Sequence, residues 1–252
     1  MRFQRSGVTF LNIDGTYVSQ QRLLRVPHEW IDLADIKHTN LYCEEHSLQE
    51  IERRIQYRNC TGLTFIGSGN YHYVSYLLMK QMNEPFTLVL FDNHTDIGAR
   101  GETMISCGSW VSYALNIPFL EKVIIVGPLQ RSHPHLAENI TIFPTLHSPK
   151  LLLSHITTER VYISIDKDVL CRNDAVTNWE QGTMTLSFLL RCLQQLLVYK
   201  HVVGMDVCGE YPQASTDIFH PMSREANRKN EYANLCIAET YLRHTLHHPR
   251  LA

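Results

Sequence analysis

No apolar stretch of this chain approaches the roughly 20 residues that a membrane-crossing helix needs, so nothing in the sequence points to a bilayer. Charge is scarce and balanced. Only 19% of residues are charged and the net is −2, which removes bulk electrostatic attraction to nucleic acid or to an anionic membrane as a driving force. Cys-x-x-Cys spacing is missing, and the seven cysteines are scattered and odd in number. That excludes a simple disulfide frame and fits reduced thiols in the cytoplasm. The first residues, Met1 to Gly7, lack the apolar centre of a signal peptide, which agrees with a cytoplasmic expectation. There is no internal repeat and no low-complexity tract, and residues 1–252 read as a single domain.

What is present is a 44% hydrophobic chain in which short apolar runs alternate with helical patterns. Val8–Ile13, Leu63–Ile66, Phe86–Phe91, Lys122–Val126, Val161–Ile165 and Val202–Val207 read as buried strands, and Trp30–Leu33 as a strand or a helical turn. Ser47-Leu48-Gln49-Glu50 has the pattern of a capping box opening a helix to Arg58. Further helices are expected over Val74–Met82, Ser109–Leu115, Leu186–Tyr199 and Arg224–Leu246, and irregular connection over 128–150. The pattern predicts an α/β fold with a mainly parallel sheet.

One stretch organises the rest. Phe86–Phe91 runs into Asp92-Asn93-His94-Thr95-Asp96. Alternate residues of an extended chain point the same way, so Asp92, His94 and Asp96 converge beyond the strand's carboxyl end. A divalent cation would hold two carboxylates and an imidazole together. A polar turn capping the next helix accounts for the same residues, and on this segment alone both readings stand. Val161–Ile165 likewise runs into Asp166-Lys167-Asp168, where the bland reading is a capped turn with Lys167 as a salt partner. Leu63–Ile66 ends in Gly67-Ser68-Gly69-Asn70-Tyr71-His72, whose glycines permit a sharp turn. The Lys that a phosphate loop requires does not follow it. Loops at the carboxyl ends of parallel strands gather at one crevice, so His72, Asp92, His94, Asp96, Asp166 and Asp168 are expected at one place. Four carboxylates and two imidazoles suit two ions rather than one, and the oxygen-rich set favours a hard ion such as Mn²⁺. Asp206 reads as a buried polar group, either behind the site or simply satisfied in the core.

These motifs resemble the ureohydrolase family: arginase, agmatinase and formiminoglutamase. The family's Asp-x-His-x-Asp stands as Asp92 to Asp96, its Ser-x-Asp-x-Asp as Ser164 to Asp168, and its first His ligand as His72. The resemblance implies a three-layer α/β/α sandwich, an architecture shared with metal-dependent deacetylases, and two Mn²⁺ ions. His72 and Asp96 would hold one ion, His94 and Asp168 the other, with Asp92 and Asp166 bridging. It implies hydrolysis of a C–N bond in a small guanidino or amidine substrate, with urea released from a guanidino compound. Asp96 would move the proton, and Glu210, in Gly-Glu-Tyr-Pro, would receive the substrate's cation. A homo-oligomer is expected, with neither nucleic acid nor membrane as partner.

The chain also departs from the family pattern. Glu210 lies one residue further from Asp206 than usual, Asn70-Tyr71 replaces Gly-Asp before the ligand His, and Cys107-Gly108 stands where a His-Gly pair is common. Cys107 reads as a small packed residue, since no basic partner is near it in sequence. Two alternatives remain open: a metal-binding relative with altered catalysis, and a deacetylase-like amide hydrolase, although no His-His pair precedes Asp92.

Overall fold

The computed structural model describes residues 7–56, 62–98, 102–128, 138–212 and 220–247. Among these residues eight strands form one sheet: β1 (Val8–Asn12), β2 (His28–Asp32), β3 (Leu63–Phe65), β4 (Phe86–Phe91), β5 (Leu120–Val126), β6 (Ile140–Phe143), β7 (Arg160–Asp166) and β8 (His201–Cys208). Their order is β2-β1-β3-β8-β7-β4-β5-β6, and every pairing is parallel.

Helices cover both faces, which gives the expected α/β/α layering. The β4 residues Val89 and Phe91 pack into the core beneath α4 (Pro149–Ser154), α5 (Leu186–Tyr199) and α6 (Pro221–His247). Leu88 and Leu90 point the other way, toward α1 (Glu45–Gln56), α2 (Val74–Met79) and α3 (Trp110–Ala114). All six β4 residues are buried, which is why the strand is apolar without alternation. The buried stripe of α5 is Leu186, Leu189, Leu193, Leu196 and Leu197, and Thr185 caps it by accepting from the Phe188 amide at 3.3 Å.

Several local expectations change. Residues 28–32 are a strand. Helix α1 starts at Glu45, so Ser47 lies inside it, and its hydroxyl donates to the Lys37 carbonyl at 2.7 Å instead of capping. The stretch read as irregular contains β6 and the start of α4, where Ser148 caps and Pro149 occupies the first turn. Among the described residues strand β6 pairs only with β5, and it is half-buried throughout, so it carries no strong apolar signal. Helix α2 ends at Met79, and α6 begins at Pro221.

The order β3-β8-β7-β4 is what matters for the site. These four strands are consecutive neighbours and all run the same way, so their carboxyl ends lie side by side. Phe91 pairs with Ile165, and Asp166 with Cys208. Stretches far apart in sequence therefore deliver their loops to one edge.

Candidate metal centre

At the end of β4 the chain does not stay extended. Asp92 Oδ1 accepts from the His94 amide at 2.6 Å, and Asp96 adopts a left-handed conformation with φ of 50°. The side chains converge through a side-chain-stabilised turn, not through strand alternation. The next strand repeats the device: Asp166 Oδ1 accepts from the Asp168 amide at 2.9 Å and caps a 3₁₀ turn over Lys167–Val169.

With His72, which follows a 3₁₀ turn over Gly69–Tyr71 beyond β3, these turns bring all six sequence-predicted ligands into two groups that share Asp92. In the first, His72 Nδ1 lies 3.0 Å from Asp96 Oδ2, 3.3 Å from Asp92 Oδ2 and 3.7 Å from Asp166 Oδ2. In the second, His94 Nδ1 lies 2.8 Å from Asp168 Oδ2 and 3.5 Å from Asp92 Oδ1. Within each of the sets His72–Asp92–Asp96 and Asp92–His94–Asp168, the donor atoms lie within 4.8 Å of one another.

The tautomer of His72 is set from behind. Its Nε2 meets Ser164 Oγ at 2.9 Å, and the Ser164 hydroxyl itself donates to Asp206 Oδ1 at 2.7 Å. Ser164 Oγ therefore accepts from Nε2–H, which turns the Nδ1 lone pair toward three carboxylate oxygens. Among the described residues neither His72 Nδ1 nor Asp92 Oδ2 has a hydrogen-bond partner, although both residues are only 1% exposed. Two buried acceptors face to face are stable only with a metal ion or a proton between them. That is the observation by which the residues present fit a metal.

The electrostatics agree. Burial, and then the neighbouring carboxylates, raise the Asp166 carboxyl above its ordinary range, and burial followed by Asp92 does the same to Asp168. His94 is pushed up to about 11, first by its hydrogen bond to Asp168 and then by Asp92. Burial opposes a charge on His72, yet Cys208, Asp92 and Asp96 outweigh it and draw the ring toward its protonated form. Without another cation, this centre recruits protons. Asp206 is fully buried behind it and also accepts from Tyr162 at 2.7 Å and from Ser75 at 3.0 Å.

Above the donors lies a cavity of about 320 Å³, lined by Asp92, His94, Asp96, Asp166 and Asp168 together with Cys107, Trp179 and Glu180. Trp179 and Glu180 come from a loop whose lining role no sequence pattern marked. The Trp179 indole and the His94 ring meet in a T-shaped arrangement with centroids 5.9 Å apart, and the indole N–H donates to Asn70 Oδ1 at 3.0 Å. Burial and then Asp96 push the Cys107 thiol up to about 12, which leaves it protonated rather than nucleophilic.

Glu210 is placed differently from expectation. It does not line the cavity. Its Oε1 accepts from Lys167 Nζ and Asn234, and its Oε2 accepts from Gln20 at 2.8 Å and Asn230 at 3.2 Å. Gly209, at φ of 84°, turns the chain where any Cβ would lie 2.3 Å from Asp166 Oδ1, and Glu210 then meets Lys167 inside the protein.

The Arginase family sequence profile matches residues 11–220, which is most of the chain. This chain belongs to the arginase family. An uncharacterized protein of Thermotoga maritima is 34% identical over 203 residues, covering 81% of this chain and 79% of that one. Formimidoylglutamase from Bacillus subtilis superposes with a TM-score of 0.65 at 16% identity, over 92% of this chain and 86% of that one. Arginase from Bacillus caldovelox superposes with a TM-score of 0.66 at 14% identity, over 94% and 98%. At such identities the two solved structures establish the arginase-family fold.

Proposed function

We propose that this arginase-family chain is a metal-dependent hydrolase that cleaves a C–N bond in a small guanidino or amidine compound, releasing urea from a guanidino substrate. The observation that carries the reading is Asp92, shared by two donor groups, with its Oδ2 and His72 Nδ1 buried, facing and unpaired. His72, Asp92, Asp96 and Asp166 would hold one divalent ion, and Asp92, His94, Asp168 and Asp166 the second. The oxygen-rich donor set favours Mn²⁺. A bound ion pair supplies a water of lowered pKa as nucleophile at neutral pH.

The chain's own residues do the remaining work. Asp96 lines the cavity, with its Oδ2 held by the Trp110 indole N–H at 2.7 Å, and its carboxylate carries a proton to the leaving nitrogen. Because Glu210 is engaged internally, a cationic substrate end is met at the cavity wall by Glu180 and Trp179. Asn70 keeps that indole in place.

The test is a panel of guanidino and amidine compounds, assayed for urea and amine release by Mn²⁺-reconstituted protein and by Asp96→Asn. Turnover lost in the variant supports the reading. Two bound ions with no turnover on any compound overturn it and favour the second reading, a metal-binding relative with altered catalysis. The internal neutralisation of Glu210 by Lys167 is what keeps that second reading in view.

A further inference from the structure

A seventh donor lies behind the six. Cys208 ends β8, is fully buried, and is the register partner of Asp166 on the adjacent strand. Its Sγ sits 3.2 Å from Asp166 Oδ2. Donor atoms of His72, Asp166 and Cys208 all lie within 4.8 Å of one another. The same His72 carries the unpartnered Nδ1, 1% exposed, and that nitrogen faces Asp166 Oδ2.

A buried free cysteine is ordinarily an inert small hydrophobe. This one touches a carboxylate and packs among ligating groups, which is not where an inert thiol is placed. Its position follows from the chain. Gly209 lets the backbone turn directly after Cys208 and pass Asp166 at a distance no side chain would tolerate. Cys107 also borders the cavity, but none of the donor groups among the described residues includes it.

We propose that Cys208 is a thiolate ligand of the ion held by His72, so that this position selects a borderline divalent ion such as Zn²⁺, Co²⁺ or Fe²⁺ over Mn²⁺. The inference rests on the metal-centre reading and changes the identity of one of its two ions. The position defined by His72, Asp166 and Cys208 offers a sulfur beside a nitrogen and a carboxylate oxygen, whereas Asp92, His94 and Asp168 offer one nitrogen and two oxygens with no sulfur and suit a harder ion. The centre would then hold an unlike pair. As the ion enters, the S–H proton leaves to solvent and an Sγ–metal bond forms, with no change of oxidation state.

The test uses the full chain, stripped of metal and titrated with Co²⁺, with bound metal counted separately by elemental analysis. Wild type is expected to develop a sulfur-to-cobalt charge-transfer band in the near ultraviolet. Cys208→Ala and Cys208→Ser are expected to lose that band while keeping the visible ligand-field bands, and Cys107→Ala is expected to retain it. In competition, Cys208→Ala should weaken Zn²⁺ by more than the roughly 10–100-fold that follows loss of a group merely supporting a ligand. Two bound cobalt ions without the band in wild type would overturn the thiolate assignment and leave the metal centre standing. No cobalt binding at all would overturn both. A band that survives Cys208→Ala, or vanishes in Cys107→Ala, would assign the sulfur elsewhere. Should the Cys208 variants fail to fold, the wild-type and Cys107→Ala spectra still decide.

Discussion

Lys167 and Glu210 form an ion pair inside the protein, with side-chain exposures of 0% and 3%. Lys167 lies between the two aspartates of the β7 turn, yet its ammonium turns away from both and also donates to Asn234 at 3.0 Å. Glu210 is then closed off by Asn234, Asn230 and Gln20. The network ties the ends of β7 and β8 to α6 and to the segment after β1.

Breaking that pair on one side should be costly. Lys167→Met leaves a buried carboxylate without its counter-charge, and the expected loss is about 3–5 kcal/mol. The double variant Lys167→Met/Glu210→Gln should recover much of it, because no unpaired charge remains. Urea denaturation of the metal-free protein measures both. A single variant as stable as wild type would show that the amide donors alone satisfy Glu210.

Ser164 determines which nitrogen of His72 faces the metal position. Ser164→Ala removes the acceptor of Nε2–H and frees the ring to rotate or change tautomer. Metal affinity should fall roughly 10–100-fold with the fold retained. Calorimetric titration with Mn²⁺, beside a far-ultraviolet dichroism spectrum, separates that outcome from unfolding.

Gly209 admits Asp166 to the centre. In Gly209→Ala the new methyl would overlap Asp166 Oδ1 at 2.3 Å, and the backbone φ of 84° is itself unfavourable to alanine. The variant should bind less than the full complement of metal, as read by elemental analysis after dialysis. Undiminished occupancy would mean that Asp166 can shift without leaving the site.

The metal-free protein should lose stability as pH rises. Asp166 and Asp168 are raised by burial and neighbouring charge, so the folded chain retains protons that the unfolded chain has released. Their favourable contribution is complete below the ordinary carboxylate pKa and is lost as pH rises through the folded values. His94, pushed up to about 11 mainly by Asp168, acts in the same direction, since its contribution is complete below an ordinary imidazole pKa and fades as pH climbs. Bound metal needs these groups deprotonated, so its stabilisation grows with pH. The gap in melting temperature between loaded and metal-free protein should widen from about pH 5 to about pH 8. A constant gap would show that these groups do not exchange protons for metal.

The residue types of the centre were legible along the chain because each motif abuts a strand that is apolar for a simple reason: both of its faces are buried. Phe86–Phe91 and Leu186–Tyr199 match their expected bounds for the same cause, strong local burial patterns. Edge strand β6, half-buried, and α1, whose Ser47 serves a distant carbonyl, show where local pattern weakens or misleads.

The amino-acid order by itself therefore determined a parallel α/β fold and six metal-type side chains at three strand ends. Only the tertiary structure decided that β3, β8, β7 and β4 are neighbours, that Glu210 turns inward to Lys167, that Cys208 stands against Asp166, and that Trp179 and Glu180 wall the cavity. Hydrophobic periodicity is a property of adjacent residues and survives in one dimension. The partner of a buried charge or thiol is chosen by strand order and by a single glycine turn, which exist only once the chain has packed.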